Sequence, residues 1–253
     1  MAEKEKPFQD FYVIGDLHHK VEHAAKILET LNPKKVIWLG DFMDSFGDTP
    51  FEAMKTGVFL KNIIETRPND IFILSNHDIS YRFPLNPKYH GYGFSPDKCR
   101  SFHAYFDRKL WNKFKLFHFE RYFGQNIVFS HAGFTANFCP HGIFNYDYAK
   151  HMEHTALERA GNSEKANPFI DDAFGILWKR WPLMPVTGIC QVVGHTPQDC
   201  PTIYREKRSS EWNLNLDCVH SYIAHFTSSG VFSVNVKTFE EKRLKHCTFH
   251  STF

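Results

Sequence analysis

Four apolar runs of strand length each end at a small or polar residue and then at once at Asp, Asn or His: FYVIGD (11–16), VIWLGD (36–41), IFILSN (71–76) and NIVFSH (126–131). Strands buried on both faces read as continuous apolar runs, and open α/β sheets bind ligands in the crevice beyond their strand C-termini. The pattern therefore constrains both the architecture and the place of a site. Between the runs, Val21, Ala24, Ala25, Leu28 and Leu31 recur at helical spacing until Asn32-Pro33, where proline cannot continue the hydrogen-bond ladder. A second helix is predicted from Phe51 to Ile64, so parallel strands linked by crossover helices are expected, with 126–130 as a fourth strand. Residues 79–93 (ISYRFPLNPKYHGYG) have neither period and read as an irregular loop, 100–117 reads as helix, and 146–180 as two helices, the second ending in GILWKRWP. Short runs at 201–204, 212–217, 222–227 and 230–236 predict a second sheet stacked on the first.

At 253 residues the chain is long enough for one substantial core, and 42% hydrophobic with 23% charged residues excludes disordered and fibrous classes. Thirty basic against 28 acidic side chains give no ground for an extended nucleic-acid or membrane surface, so binding has to come from a local site. The opening MAEKEKPFQD has no apolar segment behind it, and no run approaches the roughly 20 residues of a membrane helix, so neither a secretory signal nor a membrane partner is expected. Six cysteines, at 99, 139, 190, 200, 218 and 247, form no C-x-x-C pair and read as reduced thiols of a cytoplasmic protein.

Five short motifs occupy strand ends in order: GDLH (15–18), GDFMD (40–44), SNHD (75–78), SHAG (130–133) and VGHTP (193–197). A lone Gly-Asp is ordinary turn chemistry. The ordered set instead supplies carboxylate oxygen and imidazole nitrogen without a thiolate, which suits hard-to-borderline divalent ions. Asp16 and His18, two apart on an extended segment, project to one side and can share an ion.

This set resembles the calcineurin-like metallophosphoesterases, whose patterns run G-D-x-H, G-D-x-x-D, G-N-H-[DE], [GS]-H-x-[GH] and G-H-x-[HP]; the resemblance covers about Gly15 to Asp217. ILWKRWP (176–182), VVGHTP (192–197) and LNLDC (214–218) are similar to segments of the phosphoprotein-phosphatase and diadenosine-tetraphosphatase branch. The resemblance implies an α/β (α+β) fold, a four-layer α/β/β/α sandwich of two stacked mixed β-sheets with a dinuclear metal site at strand C-terminal ends. It implies one metallophosphoesterase domain over 1–253, with 79–125 as an irregular and helical cap-like insertion near the site.

By the same resemblance Asp16 and His18 bind one divalent ion, Asn76, His131 and His195 bind a second, and Asp41 bridges them. Manganese is the expected metal, with iron, zinc, nickel or cobalt as alternatives. Ions about 3.5–4 Å apart lower the pKa of a bridging water and clamp phosphate oxygens during in-line attack. His77 protonates the leaving oxygen with help from Asp44, a carboxylate that fixes the imidazole tautomer. The implied function is phosphate-ester hydrolysis by a metal-bridging hydroxide, as a protein-phosphatase-like phosphomonoesterase acting on a phosphoprotein. A nucleotide phosphodiesterase or dinucleoside polyphosphate hydrolase is the alternative, and a non-catalytic metal-binding scaffold the third reading.

Where the phosphatase branch has Gly after the first His and Arg-Gly after G-D-x-x-D, this chain has His19 and then Ser45-Phe46-Gly47. The missing arginine grips phosphate in that branch. Arg180, in LWKR, matches another phosphate-contacting position, and His19 and Arg82 are further candidates for substrate binding. Ser75 replaces the usual Gly, which a serine tolerates where the backbone avoids positive φ. Asp217 reads equally as a support of the metal shell or as a turn residue. His151 and His154 have helical spacing but no third ligand, so they are read as surface or core residues. Tyr81, Phe83, Tyr89, Tyr92 and Phe94 are read as packing, with stacking on a base as the alternative.

Overall fold

A computed structural model describes residues 8–245 apart from 163 and 208. The first half holds β1 (Phe11–Ile14), α1 (Val21–Leu31), β2 (Val36–Trp38), α2 (Pro50–Thr66), β3 (Ile71–Ile73), α3 (Asp78–Arg82), α4 (Pro96–His103), β4 (Phe114–Lys115) and β5 (Phe117–Tyr122). Then come β6 (Gln125–Ser130), α5 (Tyr146–Ala160), α6 (Pro168–Asp171), β7 (Cys190–Val193), β8 (Thr202–Tyr204), β9 (Asn213–Asn215), β10 (Tyr222–Thr227), β11 (Gly230–Asn235) and β12 (Glu241–Arg243). Local chemistry sets the long helices. Asn32 ends α1 in the left-handed region at φ 43°, its N–H donating to the Leu28 carbonyl, and Pro33 follows. Thr49 and Glu52 form a capping box at the start of α2, with Pro50 in the first turn.

The described strands make two mixed sheets, in the orders β12-β11-β10-β1-β2-β3-β4 and β5-β6-β7-β9-β8. In the first, β1 to β4 are parallel and β10 runs antiparallel to β1. In the second, β6, β7 and β9 are parallel, flanked by antiparallel β5 and β8. Alternate residues, Phe11, Val13, Ile37, Leu39, Ile73, Ile127, Phe129, Val192 and Leu214 among them, fill the layer between the sheets. Their neighbours Ile14, Val36, Trp38, Phe72 and Val128 face outward into a second cluster with the helices. This is the expected α/β sandwich. At the end of the sheets the chain steps from β4 into β5, and Glu153 of α5 accepts from the Leu116 N–H at 2.7 Å, satisfying backbone that the step leaves without a ladder.

Four expectations of local structure are corrected. The strand 126–130 lies in the second sheet, while 222–227 and 230–235 join the first beside β1; runs buried on both faces carry no mark of which sheet they enter. Residues 100–117 are helical only to His103 in the α form. Trp111, Phe114 and Phe117 mimic a helical stripe by their spacing, yet Phe114 pairs with Phe72 and Phe117 with Ser130, so 114–122 belong to the sheets and not to a cap. In 146–180 the second helix is the short α6, and GILWKRW is a turn whose Ile176 N–H donates to Phe169 and whose Ile176 carbonyl accepts from Ala132. The loop expected at 79–93 opens with the five residues of α3. Cys99, Cys139, Cys190 and Cys218 are buried free thiols and Cys200 an exposed one, while Cys247 lies outside the described residues. No helix among the described residues is long and apolar enough to cross a membrane.

Candidate metal centre

The ends of β1, β2, β3, β6 and β7 converge. His131 Nε2, His195 Nδ1 and the Asn76 amide oxygen lie 2.7, 3.1 and 3.1 Å from one another. Asp41 Oδ1 is 3.5 Å from His131 Nε2 and Asp41 Oδ2 is 3.7 Å from His18 Nε2. Ligand atoms of Asp41, His131 and His195 all fall within 4.8 Å of one another, and so do those of Asp16, His18 and Asp41. Asp41 is common to both groups. The Asp16 carboxylate accepts from the His195 N–H at 3.0 and 3.2 Å, an approach that requires Gly194, where a Cβ would stand 2.1 Å from Asp16 Oδ1.

The backbone is bent to make this possible. Seven of the eleven non-glycine residues with positive φ among the described residues are His18, His19, Asp41, Asp44, His195, Val219 and His220. Strain of this kind persists where the surroundings over-determine it. The turn at Asp41 lets its carbonyl accept from Leu17 N and His18 N at 3.0 and 2.7 Å, lacing the first two motifs together. Gly40, at φ 97°, leaves room for Ser75, whose Cβ would otherwise meet a side chain at 2.7 Å. Ser75 itself avoids positive φ. Asp78, to which the sequence attached no role, accepts from Phe42 N and Met43 N at 3.0 and 3.2 Å and so holds the GDFMD turn.

The donor set suits divalent cations. His131 Nδ1 donates to the Leu39 carbonyl at 3.0 Å and burial holds its pKa below the ordinary range, so Nε2 presents a bare lone pair. Burial pushes the His195 imidazole down to about 3. Asp16, Asp41 and Asp217 are 5%, 3% and 6% exposed, and among the described residues none forms an ion pair with a lysine or arginine. Burial, then Asp217 and Asp41, raises the Asp16 carboxyl well above its usual range, and burial lifts Asp217 to about 6. Lone-pair atoms crowded this closely, beside carboxylates that lack a lysine or arginine partner, are what a cation site requires.

The floor of the cleft is His131 and Asp41, with side chains 0% and 4% exposed, whereas His18 and His77, at 29% and 23%, stand at its mouth. His77 Nδ1 faces Asp44 Oδ2 at 3.2 Å. Burial alone would lower the His77 pKa, but Asp41 and Asp44 outweigh it and raise it to about 9. Asp44 Oδ1 accepts from the Tyr81 hydroxyl at 2.6 Å and from Lys98 Nζ at 2.7 Å. Lys98 also donates to both Asp48 oxygens, at 2.8 and 3.0 Å.

Of the three expected substrate contacts, only Arg180 is near the centre. It is exposed, with Nη1 3.4 Å from the His195 carbonyl. His19 is buried, Nδ1 at the Thr56 hydroxyl and Nε2 at Asp48, 2.7 and 2.8 Å, so neither ring nitrogen is free for a substrate. Arg82 leans on the Phe114 carbonyl at 3.5 Å with its guanidinium over Phe83, because α3 carries it toward β4. Both side chains are held by partners within the protein. Of the five aromatics, Tyr81 and Tyr89 are buried and Phe83 and Phe94 pack against the core, leaving Tyr92, 81% exposed, beside Phe46, 91% exposed. The sequence left Lys98 and Asp48 unmarked, since a helical lysine ordinarily reads as solvated.

The calcineurin-like phosphoesterase profile matches residues 10–229. No curated protein matches the sequence. Among solved structures, a cold-active protein-tyrosine phosphatase of a psychrophilic Shewanella superposes with a TM-score of 0.65 at 11% identity, covering 94% of this chain and 80% of that one. A protein serine/threonine phosphatase from Saccharomyces cerevisiae gives 0.52 at 12% identity, covering 89% and 75%. At such identities the likeness is one of fold.

Proposed function

The chain belongs to the calcineurin-like phosphoesterases, hence to the metal-dependent hydrolases of phosphoric esters, and from that premise we propose that it is a protein-phosphatase-like phosphomonoesterase. The observation that carries this is the sharing of Asp41 by two donor groups, with the His77–Asp44 pair at their open edge. In this reading Asp16 and His18 hold one ion, Asn76, His131 and His195 the other, and Asp41 both. Manganese is the favoured metal, with iron, zinc, nickel or cobalt as alternatives, because the donors are oxygen and nitrogen only. What bound divalent ions supply in such a site is positive charge for the phosphate oxygens and a water acidic enough to serve as nucleophile near neutral pH.

The chain's own side chains do the rest. Arg180, exposed above His195, takes part of the phosphate charge. His77 keeps its Nδ1–H on Asp44, so its Nε2 carries the proton that the leaving oxygen needs. The two structural neighbours, a protein-tyrosine and a protein serine/threonine phosphatase, favour a phosphoprotein substrate. A nucleotide substrate is the second reading, favoured by the exposed pair Phe46 and Tyr92, ring centroids 5.9 Å apart.

With manganese the protein is expected to hydrolyse p-nitrophenyl phosphate faster than bis-p-nitrophenyl phosphate, and phosphopeptides faster than cyclic nucleotides or diadenosine tetraphosphate. No turnover with any of Mn, Fe(II), Zn, Ni or Co, or a preference for diesters, would overturn the proposal.

A further inference from the structure

Asp44 divides its two oxygens between different tasks. Oδ2 faces His77 Nδ1 at 3.2 Å, while Oδ1 is gripped from behind by Tyr81 and Lys98 at 2.6 and 2.7 Å. Lys98 is 4% exposed, unusual for a lysine, and its ammonium is enclosed between Asp44 and Asp48. Asp48 is itself fixed by His19, which is locked by Thr56 of α2. Gly93 closes the other side of Asp44 so tightly that a Cβ there would stand 2.8 Å from the Asp44 Cβ. The chain Thr56–His19–Asp48–Lys98–Asp44–His77 thus runs from a helix interior to the mouth of the cleft.

We infer that Lys98, anchored by Asp48, is a positioning residue for leaving-group protonation: it holds Asp44 Oδ1 so that Oδ2 aims His77 at the departing oxygen. The inference rests on the hydrolytic reading of the site. As the bond from phosphorus to the leaving oxygen breaks and a water oxygen bonds to phosphorus, the leaving oxygen takes the proton from His77 Nε2. His77 is left neutral with Nδ1–H on Asp44, and the proton released by the attacking water restores it. Lys98 touches neither substrate nor reacting atoms. Without it, Asp44 and Asp48 become adjacent buried carboxylates and Asp44 loses one of its two rear donors.

The role separates from a general structural one by leaving group, because a good leaving group departs without a proton. Wild type, Lys98→Met and Lys98→Arg are compared on 2,4-dinitrophenyl, p-nitrophenyl and phenyl phosphate with manganese. The expected result is a loss of about 30-fold on phenyl phosphate for Lys98→Met, under about 3-fold on the dinitrophenyl ester, and recovery by arginine. An equal loss across the series, or none, overturns the inference. Should Lys98→Met fail to fold, Asp48→Asn decides: a loss that grows as the leaving group worsens supports the role, and a flat response refutes it. A readout free of turnover is the His77 Nδ1 proton in ¹⁵N-labelled, metal-free protein, which should be lost or shifted upfield in the variants and whose persistence unchanged refutes the role. If wild type prefers aryl methyl diesters, the phosphomonoesterase reading fails, and the diester series tests Lys98 in the same way.

Discussion

Two neighbouring clusters of Asp and His differ in one respect, the source of their positive charge. Around Asp41, the buried carboxylates of Asp16, Asp41 and Asp217 have imidazoles nearby but no lysine or arginine partner among the described residues. Around Asp48, the set His19, Asp44 and Asp48 also brings ligand atoms within 4.8 Å of one another, yet the Lys98 ammonium sits among them. The same residue types thus make a site open to external cations and a site that contains its own. Ligand inventory alone does not distinguish them; the presence of an internal counterion does.

The sharpest way to break this comparison is to remove the residue common to both halves of the first cluster. Asp41→Ala should lower turnover by about 10⁴-fold, roughly 5 kcal/mol, and abolish bound metal by elemental analysis; retained metal with retained activity would dissolve the distinction. Next in size is Lys98→Met, which leaves two facing carboxylates and should cost about 3–5 kcal/mol of stability by urea denaturation. His77→Ala should reduce kcat about 10²-fold, near 3 kcal/mol, with bound metal unchanged; a shift in KM alone would argue that His77 binds and does not protonate. For the uncompensated part of the cluster the sign reverses. In the presence of chelator, Asp16→Asn should leave stability unchanged or raise it by about 1 kcal/mol, since burial beside Asp217 and Asp41 already raises that carboxyl well above its usual range. Among the substitutions that alter catalysis, Arg180, exposed at the rim, should matter least, with alanine raising KM about tenfold, near 1.4 kcal/mol.

The first cluster was legible in the sequence because each of its donors closes an apolar run, so five strand ends announce it. The second was not. Lys98 stands in PDKCRSFH, where nothing marks it as buried, and only the packing of α4 on α2 carries it beneath Asp44; Gly57 lies so near the Phe102 carbonyl that a Cβ would meet it at 2.6 Å. His19 illustrates the converse. Its place beside a metal-binding motif suggested a substrate contact, but positive φ at His18 and His19 turns the ring inward. The sandwich class followed from pattern, whereas sheet membership did not, since Ile127, Val128 and Phe129 are all buried and face both ways.

The pairing of Phe11 with Phe226, and of the His195 N–H with Asp16 across 179 residues of sequence, has a consequence for biosynthesis. Contacts of such long range must close large loops before they contribute. A nascent chain that has emerged only through β8 already carries the donors, yet β1 still lacks the neighbour that completes its edge. Closure of the donor cluster is therefore expected late in folding, since β1 gains its second neighbour only when β10 docks.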